Sequence, residues 1–408
     1  MQKDKDIKRP FVCVAGKNDI AVDVLEHLIQ KNRDYGIGVI CNKTETGKNS
    51  FQKSLRWFAN KFGIREYTLD EVYNTDDLIL LSTEFDRIVR PDRFKKARLY
   101  NIHFSLLPKY KGMFPTVLPI LDGEQESGVT LHRIDAGIDT GDIIDQFSFP
   151  INKMDCRELY MKCMKCGTEV VIRNIDAILE GRDEAHPQKI AGSTYHSKKY
   201  INYDDLGIDL NQTAYVVANQ VRAFCFREYQ LPEINGHYII DYCITNTRSV
   251  LKPGSIFLEN NDMCIVATID YNIILYYDKF SQLLEYCEKG NLNMVRRICE
   301  IRKHINTSDS HGWTPLMVAV YNNRADITEY LLTHGADINA VNNNGTTALM
   351  YAKDAYKRSG DITVFSMLLK FGANSKQRDY TGKSLDDYCR EEGIGEIGDY
   401  RTDLGSYH

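Results

Sequence analysis

Asn101 and His103 lie two residues apart in Tyr100-Asn101-Ile102-His103-Phe104, so an extended backbone projects both side chains from one face, with Ser105 third in the row. Further along, residues 128–144 alternate like a strand and then open into a glycine-punctuated loop carrying Asp135, Asp139 and Asp142. A side-chain amide can donate to a developing oxyanion. An imidazole can take or hold a proton near neutral pH, and a carboxylate can fix its tautomer or accept the amine proton. An amide, an imidazole and an acid, with no serine or cysteine nucleophile among them, suit direct acyl transfer to an amine.

These residues need a sheet edge to hold them. Residues 11–16 read as a first strand followed by an amphipathic helix to about Lys31, and 37–41 as a second strand. A helix over 50–62 and a short third strand over 64–69 follow. Residues 78–81, Leu-Ile-Leu-Leu, read as a buried parallel strand, and Pro108 closes the strand that bears Asn101. A long helix over 155–180 completes a doubly wound, Rossmann-like α/β domain, expected to span 1–186, with its site outside the carboxyl ends of the strands. The first turn holds one glycine and no GxGxxG, which argues against a nicotinamide dinucleotide.

Beyond this domain the pattern changes twice. Residues 187–279 are rich in tyrosine and β-branched side chains, with strand-like runs at 237–244, 254–258, 263–269 and 272–276, and are expected to form a small mixed α+β domain. From 280 a repeat appears. Gly312-Trp-Thr-Pro-Leu316 recurs as Gly345-Thr-Thr-Ala-Leu349 at an offset of 33 residues. Leu331-Leu-Thr-His-Gly-Ala-Asp337 recurs at an offset of 37 as Leu368-Leu-Lys-Phe-Gly-Ala-Asn374, which implies a four-residue insertion near 357–360. This is the ankyrin pattern, an all-α stack over 280–408, with 282–301 as an atypical first unit.

Composition bounds the function classes. The chain has 408 residues with 26% charged and a net charge of -5, which argues against nucleic acid as its main partner. Eleven cysteines fit reduced, mostly buried thiols. Cys163 and Cys166 form a CxxC with no second pair at zinc spacing. The Asp135–Asp142 loop lacks the EF-hand order of ligands, so no metal is expected. The charged first ten residues and the short apolar run after them suggest neither secretion nor a membrane span, and the protein is expected to be cytoplasmic.

Asn101-x-His103, Ser105-Leu-Leu-Pro108 and Asp139-Thr-Gly-Asp142 resemble the signature of the folate-dependent formyltransferases over roughly residues 10–230. Within that group, residues 108–112 and 193–196 look most like the enzymes that formylate amino groups of nucleotide-linked deoxysugars. The resemblance implies transfer of a formyl group from 10-formyltetrahydrofolate to a dTDP-linked amino-dideoxyhexose, preferentially dTDP-3-amino-3,6-dideoxy-D-glucose, for surface polysaccharide. It further implies Asn101, His103 and Asp139 as catalytic residues. Arg87, Ile88, Val89, Asp135, Gly137 and Ile138 would contact the folate, and Lys109, Tyr110, Lys111, Tyr195 and Arg222 the nucleotide sugar. A homodimer is expected, with a protein or second ligand at the ankyrin module. The alternatives are a 4-amino sugar, methionyl-tRNA, or a binding protein that has kept an inactive formyltransferase fold.

Overall fold

A computed structural model describes residues 10–31, 34–203, 206–301 and 304–394. The chain divides between Leu275 and Tyr276 into two compact units.

The first unit begins with β1 (Phe11–Gly16), α1 (Asn18–Lys31) and β2 (Gly36–Cys41), followed by α2 (Leu55–Lys61), α3 (Leu69–Val72) and β3 (Leu78–Thr83). Next come β4 (Ala97–His103), the two-residue β5 (Lys111–Gly112), α4 (Leu118–Leu121), β6 (Glu126–Arg133), β7 (Ile143–Pro150) and α5 (Cys156–Glu180). Six strands form one sheet in the order β2-β1-β3-β4-β6-β7. The first four run parallel, as their apolar runs suggest, and β6 and β7 add an antiparallel hairpin.

Helix α5 is long because both ends are well specified. Asp155 and Glu158 make a reciprocal capping box, and Gly181 closes the helix at φ 66°. Gly167 then lets α5 approach the sheet: a Cβ there would lie 3.0 Å from Ile20 and 3.2 Å from Ile102. The opposite sheet face buries Cys13, Ala15, Leu80 and Leu99 beneath Leu69, Val72 and Val89.

Two expectations need correction here. Residues 64–69 form no strand; a single bridge joins Glu66 to Val39. Thr68 and Glu71 make a second capping box, which turns the chain into α3 instead. Helix α2 begins only at Leu55, because the Ser54 hydroxyl caps the Trp57 amide.

Of residues 187–279, expected as an accessory domain, 187–275 lie within the first unit and carry a sheet of their own. They contain β8 (Tyr195–His196), α6 (Ala214–Phe224), β9 (Glu233–Ile234), β10 (His237–Arg248), β11 (Ile256–Glu259), β12 (Met263–Ala267) and β13 (Tyr271–Tyr277), which crosses the division. The strand order is β11-β12-β13-β10-β9, and β8 pairs with β5.

The second unit is a stack of helix pairs: α7 (Phe280–Lys289) with α8 (Leu292–Cys299), α9 (Pro315–Tyr321) with α10 (Ala325–Thr333), and α11 (Ala348–Ser359) with α12 (Thr363–Lys370). A last helix, α13 (Leu385–Glu391), follows. The repeat is legible in the caps. Thr314, Thr347 and Ser384 each accept from the amide three residues on. Helix α11 has 12 residues against 7 in α9, so the insertion becomes extra helix, ended by Gly360 at φ 72°.

Candidate active site

The site starts with a register. β3 and β4 pair Ser82 with Asn101, and β4 and β6 pair Asn101 with His132. The Ser82 hydroxyl donates to Asn101 Oδ1 at 2.7 Å, which fixes the amide flip and turns Nδ2 toward His132 Nε2 at 3.0 Å and Asp139 Oδ1 at 3.4 Å. His132 Nδ1 lies 2.8 Å from the Arg133 carbonyl, so Nδ1 carries the proton and Nε2 accepts from Asn101.

His103 is tied differently. Its Nε2–H donates to the Tyr110 carbonyl at 2.8 Å, which leaves Nδ1 facing Asp139 Oδ2 at 3.6 Å. Burial pushes the imidazole below its ordinary value, against the pull of Asp139 and the Tyr110 carbonyl, so it is neutral at neutral pH. Asp139 goes the other way. Burial raises its carboxyl, but the charge that His103 carries once protonated and the hydrogen bond from the Gly112 amide outweigh that and hold it well below the usual carboxylate range. The geometry agrees, since Gly112 N–H donates to Oδ2 at 2.8 Å.

Asp139 reaches this position at φ 54°, a conformation that costs a non-glycine residue about 1–3 kcal/mol. The loop is clamped from three sides. Gln188 Nε2 donates to the carbonyls of Asp139 and Gly141 at 2.9 and 2.8 Å. Asp135 accepts from the Gly137 amide at 3.0 Å and the Thr140 hydroxyl at 2.6 Å. Gly141 passes so close to Arg133 that a Cβ would sit 1.8 Å from its carbonyl oxygen. Amide, imidazole and acid thus converge on one strand tip.

The remaining expected residues divide. Ile88 is 70% exposed and Ile138 is exposed too. Val89 is buried in the core beneath the sheet, so only its backbone can meet a ligand. Arg87 lies over the Phe85 ring at 4.5 Å and donates to the Cys41 carbonyl at 2.8 Å. Lys109 pairs with Glu124 at 2.8 Å, and Lys111 is brought beside the exposed Tyr195 by the pairing of β5 with β8.

Two expectations fail on geometry. The Tyr110 side chain is buried, and its hydroxyl donates to Asp122 at 2.9 Å, so this residue serves the site through its carbonyl alone. Arg222 is 4% exposed and donates to Asn219 and to the carbonyls of Asn152 and Met154, which makes it a clamp on that loop and not a substrate contact. Conversely, Ser82, His132 and Gln188 were not foreseen. Among the described residues, no group of three or more His, Cys, Asp or Glu could hold a metal ion, and no helix is long and apolar enough to cross a membrane.

The formyl transferase family matches residues 8–175, and a set of three ankyrin repeats matches residues 283–379. The structure is similar to WlaRD, a sugar 3N-formyl transferase solved in the presence of dTDP and 5-N-formyl-THF. That likeness has 43% identity and a TM-score of 0.61, covering 66% of this chain and 98% of that one. It is similar to an N-formyltransferase from Helicobacter canadensis in complex with folinic acid and dTDP-3-aminofucose, at 41% identity and a TM-score of 0.61, covering 65% of this chain and 99% of that one. A methionyl-tRNA formyltransferase from Fervidobacterium nodosum is 31% identical over 224 residues, which are 51% of this chain and 69% of that one. Taken with the converging amide, imidazole and acid, these likenesses establish that the chain belongs to the formyltransferase family, as an N-formyltransferase followed by ankyrin repeats.

Proposed function

We propose that the protein transfers a formyl group from 10-formyltetrahydrofolate to the amino group of a dTDP-linked amino-dideoxyhexose, with dTDP-3-amino-3,6-dideoxy-D-glucose preferred. The observation that carries this reading is the convergence of Asn101 Nδ2, His103 Nδ1 and Asp139 at the end of β4. The amine attacks the formyl carbon, and Asn101 Nδ2 donates to the oxyanion as the carbonyl bond opens. His103 enters neutral with Nδ1 as its basic atom, and takes the proton that the amine loses. The resulting imidazolium finds an acceptor at each nitrogen, Tyr110 O at 2.8 Å and Asp139 at 3.6 Å. As the oxyanion collapses back to a carbonyl the bond from the formyl carbon to folate N10 breaks, and the proton held by His103 passes to N10 of the departing tetrahydrofolate.

Backbone groups of 87–89 and 135–138 are assigned to the folate, with Ile88 and Ile138 as exposed apolar side chains for its flat ring. Lys111 and Tyr195 are assigned to the nucleotide. In this reading 1–186 is the catalytic domain, 187–279 an accessory domain and 280–408 the ankyrin module, whose partner would be a protein or a second ligand. The product would enter surface polysaccharide.

The acceptor is tested by incubating the full chain with the folate donor and a panel of nucleotide 3- and 4-amino sugars, or with charged initiator tRNA, and following product mass. Mass gain of one formyl group on a dTDP-3-amino sugar is the expected result. Formylation of the aminoacyl-tRNA alone would overturn the proposal.

A further inference from the structure

The mechanism above uses one carboxylate at the strand tips; the fold places a second there. β1 leads through α1 to β2 on one side, while β3 lies on the other, so the chain parts between β1 and β3, the position where open α/β sheets bind ligands. The two tips touch: a Cβ on Gly16 would lie 1.8 Å from the Thr83 carbonyl oxygen. Immediately beyond them stand Asn18 at φ 66° and Glu84 at φ 58°, two non-glycine residues in left-handed backbone.

Their side chains are locked together. Glu84 Oε2 accepts from Asn18 Nδ2 at 2.8 Å and from the Tyr160 hydroxyl at 2.7 Å, and the Glu84 carbonyl accepts from Asn42 at 2.8 Å. Glu84 is only half-buried, and its Oε1 makes no hydrogen bond among the described residues. Burial raises its carboxyl, against the hydrogen bonds from Tyr160 and Asn18 and the charge of Lys17. The carboxylate therefore has one oxygen anchored and one with acceptor capacity to spare. An aromatic wall stands behind it: Tyr160 meets Phe226 at 5.3 Å, and Phe226 meets the exposed Tyr229 at 4.6 Å.

The position relative to the reacting groups sets the role. Thr83, the last residue of β3, pairs with Ile102, so Glu84 leaves its strand beside the end of β4 that bears His103. Tyr160 packs on Phe104, the residue after His103, from the α5 side, while alternation along β4 sends Asn101 and His103 to the other side. A six-membered sugar ring whose amine sits between Asn101 and His103 would straddle the tip of β4 and bring a ring hydroxyl to Glu84.

We infer that Glu84 is a specificity-determining residue for the acceptor, its free oxygen accepting a hydrogen bond from a hydroxyl of the amino sugar while Asn18 and Tyr160 aim it. This rests on the amino-sugar reading of the site. The experiment compares wild type with Glu84→Gln and Tyr160→Phe in steady-state kinetics, varying the dTDP-3-amino sugar and the folate donor separately. Loss of a hydrogen bond to a charged acceptor predicts a rise of about 10- to 100-fold in the acceptor KM for Glu84→Gln, with the donor KM unchanged and kcat changed far less. Tyr160→Phe keeps the carboxylate but frees its aim, and should raise the same KM by a smaller factor. A merely structural Glu84 would instead lower kcat and raise both KM values together, and that outcome, or an unchanged acceptor KM, overturns the inference. Wild type that formylates no nucleotide amino sugar would overturn the functional reading itself, which is a distinguishable result.

Discussion

Asn101 has a defined job because Ser82 occupies its carbonyl oxygen and leaves only the amide nitrogen to face the cluster. Asn101→Ala should therefore lower kcat about 100- to 1,000-fold, the usual cost of one oxyanion donor, with little change in melting temperature. His103→Asn should lose turnover to at least that extent, read in the same assay. The pH dependence follows from the buried imidazole. Its folded value lies below the ordinary 6.5, so the acid limb of kcat/KM should fall at a pH below 6.5. Stability has a matching sign: between the two values the unfolded chain binds the extra proton, so stability is lost as pH falls through that window. Denaturant titrations of His103→Asn between pH 5 and 7 should show a weaker pH slope than wild type. The spacing of Asn101 and His103 made them legible in sequence, and the glycine-flanked Asp139 likewise. His132 was not legible, because a single histidine in an alternating strand looks like any interior residue. Only the antiparallel register of β6 on β4 reveals that it faces Asn101.

At the scale of elements, the site depends on loops that could not tolerate a side chain. Gly112 sits at φ 86°, its missing Cβ would lie 2.4 Å from the His196 carbonyl oxygen, and its amide holds Asp139. Gly112→Ala must therefore part β5 from β8 and release the acid. Turnover should fall at least 10-fold while stability falls by about 1–3 kcal/mol, the range for overpacking, as measured by kinetics and urea unfolding on one preparation. Equal stability with unchanged turnover would show that Asp139 needs no help from that amide. Apolar runs announced β1 and β3 because burial on both faces leaves little choice of residue. The run at 64–69 misled for a local reason: Thr68 and Glu71 compete for the backbone amides with a capping box that a strand pattern does not display. Arg222 misled in the opposite way, since a charged residue near a sugar site reads as a contact until its carbonyl partners are seen.

At the scale of the molecule, two apolar cores are built on different rules. The first depends on pairings between distant strands; the second repeats one local unit, which is why an offset of 33 residues was visible in sequence. In the ankyrin unit Leu331 is fully buried among Ile327, Val320, Leu316 and Leu368. Leu331→Ala removes most of that side chain and leaves a cavity, at a cost of about 2–5 kcal/mol. Because each unit closes its own core, calorimetry of the full chain should resolve two transitions, of which the substitution lowers one. Adding a folate analogue and dTDP, the ligands proposed for the first unit, should raise the other, since a ligand that binds only the folded state stabilises what it binds. If Leu331→Ala shifts both transitions equally, or the ligands raise the one that it lowers, the two cores unfold as a single cooperative body. The ankyrin stack would then have to be counted among the elements that hold Asn101, His103 and Asp139 in place.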